Sequence, residues 1–124
     1  MKSKDEKVRA VGRPPPKPLI YICSPLKGDV KRNIEKANYY ARYAYKQGCI
    51  PLAPHAIFTQ FLDDGNPKER KDGMAMGLVL LAHCAELWVF GTKISKGMRS
   101  EIDHARKNGI KIRWIVLQET EKEE

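Results

Sequence analysis

Four short apolar runs, each stopped by a chain-breaking residue and separated from the next by a longer amphipathic stretch, constrain this chain most. Leu19-Ile20-Tyr21-Ile22-Cys23 is continuous and lies between Pro18 and Ser24-Pro25. A run of that length without alternation reads as a strand buried on both faces. Ile50 to Ala53, Leu87 to Phe90 and Ile110 to Leu117 repeat the pattern. Between the first two, Val30 to Gln47 places Val30, Ile34, Ala37, Ala41 and Ala44 on one helical stripe, with Gly48 as the stop. Ala56 to Phe61 reads as a short helix after the break at Pro54-His55. A longer helix starts at Pro67 or Lys68 and reaches about His83, after the turn signal Asp63-Asp64-Gly65-Asn66-Pro67. Lys96 to Asn108 is a further helix, with Met98, Ile102 and Ala105 inward and Gly109 as the stop. Strands separated by helices demand a mainly parallel sheet with right-handed crossovers. The expected fold is α/β: a small three-layer Rossmann-like or flavodoxin-like domain with four or five strands. At 124 residues the chain has room for one such domain.

The flanks differ from this middle. Residues 1–17 carry six Lys and Arg against two carboxylates, about half of the net charge of +8, and end in a proline run. They read as a disordered basic arm passing into polyproline II. The arm has no interleaved aromatics, so a solvated tail is expected rather than a nucleic-acid site. The folded domain then covers 18–118, and 119–124 is a charged tail. The longest apolar stretch, Met74 to Ala82, is far short of a membrane span and contains Gly77. The charged N-terminus lacks the apolar segment of a signal peptide. Cys23, Cys49 and Cys84 form no C-x-x-C pair and read as small hydrophobes in a reducing, cytoplasmic setting. Tyr39, Tyr40, Tyr43 and Tyr45 crowd the first helix beyond what its core stripe can absorb, which points to a homodimer or larger homo-oligomer.

In open parallel sheets the ligand lies beyond the carboxyl ends of the strands. That rule selects Cys23 to Asp29, Pro54 to Gln60 and Gly91 to Glu101. Ser24, Lys27, Gly28, His55, Gly91, Ser95, Gly97 and Met98 are the candidate binding residues in these loops. Neither G-x-G-x-x-G nor a Walker A sequence occurs, and the histidines and cysteines lack metal-ligand spacing. No metal and no cofactor is therefore expected. Ser95 is placed to cap a helix, Gly97 to admit a ligand to the backbone, and the first-turn N–H groups to hold an anion. Glu101 sits just inside this helix, where the positive helix end favours its ionised form.

Ser95-x-Gly97-x-x-x-Glu101-Ile102-x-x-Ala105 resembles the S-x-G-x-x-x-E-[LI]-x-x-A motif of the nucleoside 2-deoxyribosyltransferase superfamily, which includes 2′-deoxynucleoside 5′-phosphate N-hydrolases. Ile20 to Gly28 is similar to the V-Y-F-C-G-S-I-R-G strand and loop of the hydrolases. Cys84 to Gly91 falls at the family's A-D-V-V-V-A strand. Pro54-His55-x-x-Phe58-Thr59-Gln60-Phe61 is similar to the unassigned phage-type members. The resemblance spans about 19–117 and implies a small-molecule nucleoside or nucleotide as partner. It implies Glu101 as the nucleophile on the anomeric carbon, Tyr21 as the group orienting it, and resolution by water (a hydrolase) or by a second base (a transferase). Ser95 and Gly97 would hold a 5′-phosphate or 5′-hydroxyl, with Lys27 at the family's phosphate-binding arginine. The family also carries an aspartate about seven residues before its A-D. Here that position is Leu78, and the nearest aspartate is Asp72. Either Asp72 serves as the second carboxylate, or the pocket binds a nucleotide without turning it over.

Overall fold

A computed structural model of the chain describes residues 16–118. The arm reading therefore falls outside the described residues up to position 15, as does the tail from 119. Within them, β1 (Leu19–Cys23) is buried in all but its first residue because it has neighbours on every side. Ile20 and Ile22 face one helical layer, and Tyr21 and Cys23 face the other. α1 (Val30–Lys46) follows, capped by Asp29, whose Oδ1 accepts from the Arg32 N–H at 3.2 Å. Gly48, at φ +86°, turns the chain into β2 (Ile50–Leu52). Pro51 is tolerated there because β2 is an edge strand. Pro54 starts α2 (Pro54–Ile57) rather than merely breaking the strand, and a 3₁₀ turn over Phe58–Gln60 extends it. The helix thus begins two residues before the expected start, since proline at the first helical position gives up only an N–H that has no intrahelical partner.

α3 (Pro67–Leu81) is capped by Asn66, whose side chain accepts from the Lys68 and Glu69 N–H groups. It ends two residues before the expected His83. β3 (Glu86–Phe90), α4 (Lys96–Lys107) and β4 (Lys111–Ile115) complete the order. The strands form one parallel sheet in the order β2-β1-β3-β4. α1 covers one face, and α3 and α4 cover the other. This is the expected three-layer α/β fold, with four strands among the described residues. The winding direction reverses between β1 and β3, which opens a crevice at their carboxyl ends.

The α1 layer differs from the expected stripe. Ala37 and Ala44 are buried as read, but Val30, Ile34 and Ala41 are only partly so, and Tyr40 takes the central place. Its ring stacks on Phe90 with centroids 4.4 Å apart and planes 10° from parallel. Tyr39 and Tyr43 also pack against this cluster, leaving Tyr45 exposed. The alanines bring the helix close to the sheet, and the tyrosines fill the space beside it. The crowding that suggested an oligomer is thus largely absorbed within one copy of the chain. Cys23 and Cys84 are buried and Cys49 is half-buried, all as free thiols. No helix among the described residues is long and apolar enough to cross a membrane.

Candidate active site

Tyr21 alternates onto the α3/α4 side of β1, where its side chain is buried and its hydroxyl lies against α3. Gly77 of α3 makes room for it: a Cβ there would lie 2.8 Å from the Tyr21 hydroxyl oxygen. The second turn of α4 brings Glu101 to the same point. The Tyr21 hydroxyl donates to Glu101 Oε2 at 2.6 Å. Glu101 Oε1 is buried and has no hydrogen-bond partner among the described residues. Burial dominates the acidity of this group. It pushes the Glu101 carboxyl from an ordinary 4.5 up to about 7, and the Tyr21 hydrogen bond, with the nearby Cys23 thiol, offsets only part of the rise. The expectation that the helix end favours the ionised form is thereby corrected. Loss of water outweighs a dipole term worth at most about 1–2 kcal/mol. Burial, with the neighbouring Glu101, also raises the Tyr21 hydroxyl far above its usual range, so it stays a donor.

Glu101 lies where two lobes of one cavity meet. The polar lobe is built on the start of α4 and the loop after β1, with Ser24, Lys27, Ser95, Lys96, Gly97, Met98 and Ser100 along it. Ser95 caps α4: its Oγ accepts from the Met98 N–H at 3.2 Å, while the Ser95 N–H donates to Met98 Sδ at 3.5 Å. A Cβ on Gly97 would meet only open space, so no packing within the chain requires a glycine there. Ser24 is 1 % exposed, yet its Oγ has no partner among the described residues. His55 spans the lobes. Its Nε2 lies 2.8 Å from the Ser24 carbonyl, which can only accept, so Nε2 carries the proton and Nδ1 is left as an acceptor. Burial lowers the His55 pKa and keeps the ring neutral.

The second lobe, called the apolar lobe for its wall of Leu26, Pro54, Phe58, Leu62 and Met74 beside Tyr21, also carries Thr59 and Glu69. Its polar edge is an ion pair: Arg70 Nη1 donates to Asp64 Oδ2 at 2.9 Å, with both side chains largely withdrawn from solvent. Neither residue was singled out in the sequence. The available signal was the inward stripe of α3, Arg70, Gly73-Met74, Gly77-Leu78 and Leu81, which places an arginine on the cavity side of the first turn.

The structure brings Tyr21, Ser24, Lys27, His55, Ser95, Gly97, Met98 and Glu101 around this one cavity. Three other candidates are not brought to it. Asp72 points to solvent, its side chain 51 % exposed and paired with Lys68 one turn back at 2.9 Å. It stands roughly opposite Arg70 on the helix, since two residues turn an α-helix by about 200°. Leu78 lines the polar lobe where the superfamily's aspartate is expected. Gly28 (φ +106°) and Gly91 (φ +93°) line neither lobe and serve their turns, which need a left-handed residue. Among the described residues no group of three His, Cys, Asp or Glu could hold a metal ion.

A family profile described as "Domain of unknown function (DUF7768)" matches residues 18–115. No curated protein matches the chain. Among solved structures, a 2-deoxyribosyltransferase from Bacillus psychrosaccharolyticus is similar in fold, with a TM-score of 0.63. The match covers 79 % of this chain and 72 % of that one at 12 % identity, a level at which the likeness speaks for the fold.

Proposed function

The chain belongs to the DUF7768 family of domains of unknown function, and from that premise we propose that it cleaves or exchanges the N-glycosidic bond of a (deoxy)nucleoside or nucleoside 5′-monophosphate. The observation that carries this reading is the Tyr21–Glu101 hydrogen bond of 2.6 Å, with the second carboxylate oxygen buried and unpartnered on a residue that lines both lobes. Tyr21 fixes one oxygen, so the other is the one free to attack. In its ionised form Glu101 forms a bond to the anomeric carbon while the carbon–nitrogen bond breaks with its electron pair on the base. Water or a second base then attacks the same carbon and releases Glu101. A poorly solvated carboxylate is a strong nucleophile, and a sugar that fills the cavity completes its isolation from water.

The two lobes suit the two ends of such a substrate. The apolar lobe accepts a flat heteroaromatic ring. The polar lobe offers the first-turn N–H groups of α4, the unpartnered Ser24 hydroxyl and the Lys27 ammonium to a 5′-phosphate or 5′-hydroxyl. The fold shared with a 2-deoxyribosyltransferase supports the same class. A second reading, nucleotide binding without turnover, is favoured by Asp72, which faces solvent, and by Leu78, which lines the cavity at the position where the resemblance implies a carboxylate. Incubating the protein with each nucleoside and monophosphate, and following free base by chromatography, separates the two. Base release by the wild type, abolished in Glu101→Ala, supports the enzyme. Tight binding with no base released from any substrate leaves only the binding reading.

A further inference from the structure

The glycosidic bond of the proposed reaction can break only if the charge left on the base is neutralised, and few groups are in a position to do so. The Tyr21 proton is committed to Glu101. The single proton of neutral His55 points at the Ser24 carbonyl. Lys27 and Lys96 line the polar lobe only. Among the described residues lining the apolar lobe, Arg70 is the one cation, and it reaches the second lobe as well, beside Glu101. Only its Nη1 bond to Asp64 is seen among its guanidinium donors, and a guanidinium has five N–H groups.

We propose that Arg70, held in place by Asp64, binds the departing base and stabilises the negative charge that develops on it. This rests on the reading of the cavity as an N-glycosidase site. As the bond from Glu101 to the anomeric carbon forms, the electron pair of the carbon–nitrogen bond passes to the base. Arg70 donates an N–H to a nitrogen or carbonyl oxygen of that ring, and the base anion takes its proton from water after release. Arg70 thus supplies by charge what a carboxylic acid at position 78 would supply by proton transfer, while the two carboxylates of the apolar lobe besides Glu101 are engaged, Asp64 by Arg70 and Glu69 by the Asp63 N–H at 2.7 Å. Asp64 is a positioning residue: it holds the guanidinium plane at the edge of the apolar lobe.

The test compares leaving groups. Base release is measured with 2′-deoxyuridine and its 5-fluoro analogue, whose base leaves as a more stable anion, and with both 5′-monophosphates. In Arg70→Gln, uracil release falls by about 10²-fold or more, as for loss of one donor to a developing anion. Release of 5-fluorouracil falls by about tenfold or less. Arg70→Lys, which keeps the charge, recovers part of the uracil rate and guards against a folding defect. Asp64→Asn shows the same pattern in weaker form, uracil release falling more than 5-fluorouracil release but less than in Arg70→Gln, and an unchanged ratio would remove the positioning role of Asp64. Equal losses on both substrates in Arg70→Gln overturn the proposal, as does a loss confined to the monophosphates, which would make Arg70 a phosphate ligand. Wild-type protein that releases base from no substrate overturns the glycosidase reading itself, and this inference with it.

Discussion

Glu101→Gln should make the protein more stable in alkaline solution while removing its proposed nucleophile. The carboxyl is raised from 4.5 to about 7 chiefly by burial. Its folded-state value lies above the unfolded one, so folding takes up a proton. The resulting stability is fully present below about pH 4.5 and is lost as the pH rises through 7. At about 1.4 kcal/mol for each tenfold, holding the ionised group inside the fold costs about 3 kcal/mol above pH 8. Glutamine avoids that cost, and its carbonyl oxygen can still accept from the Tyr21 hydroxyl. Urea unfolding followed by tryptophan fluorescence measures this directly, because Trp88 is 7 % exposed in the folded chain. At pH 5 the two proteins should agree within about 1 kcal/mol, the value of one neutral hydrogen bond. At pH 8.5 the glutamine variant should gain about 2–3 kcal/mol, roughly a 10 °C rise in Tm for a domain of this size. A difference that does not change with pH, or a variant less stable at pH 8.5, refutes the argument that burial controls Glu101.

Four further outcomes follow from the same geometry. Wild-type base release should rise with pH through about 7 as Glu101 ionises. In Tyr21→Phe, loss of a hydrogen bond that lowers the Glu101 pKa should move that inflection to higher pH, and an unmoved or lowered inflection in the pH–kcat/KM profile counts against the pair. Gly77→Ala puts a Cβ 2.8 Å from the Tyr21 hydroxyl and should cost about 1–3 kcal/mol in a thermal melt, together with most of the activity. Gly97→Ala, whose Cβ meets open space, should leave the melt unchanged or raise it by up to about 1 kcal/mol while weakening nucleotide binding measured by calorimetry.

The parts of the fold written in local patterns were legible. The apolar run of β1, the cap of α4 and the inward Met98, Ile102 and Ala105 each follow from one short stretch of sequence. The strand-end rule then gathered Glu101, Ser95, Gly97, Ser24 and His55 on one edge without any knowledge of their contacts. What was missed depends on the third dimension. Tyr40 enters the core only because Phe90, on a strand far along the chain, offers a face to stack on. β4 ends at Ile115 rather than Leu117 because it is an edge strand with a single neighbour to pair with. Residue type alone points to Asp72, whereas helical spacing puts it on the opposite side of α3 from Gly77 and Arg70. The burial of Glu101 could not be read from its place in the helix, since the walls that exclude water come from β1, α2 and α3.

Trapping the covalent intermediate tests the central claim most directly. The protein is mixed with a 2′-fluorinated nucleoside or nucleotide, which slows the second step more than the first, then quenched in acid and digested. The account predicts one added glycosyl group, on the peptide that contains Glu101, with stoichiometric release of base and no adduct in Glu101→Gln. Base release with no adduct on Glu101, an adduct on another side chain, or neither base release nor adduct with any nucleoside or monophosphate would contradict it.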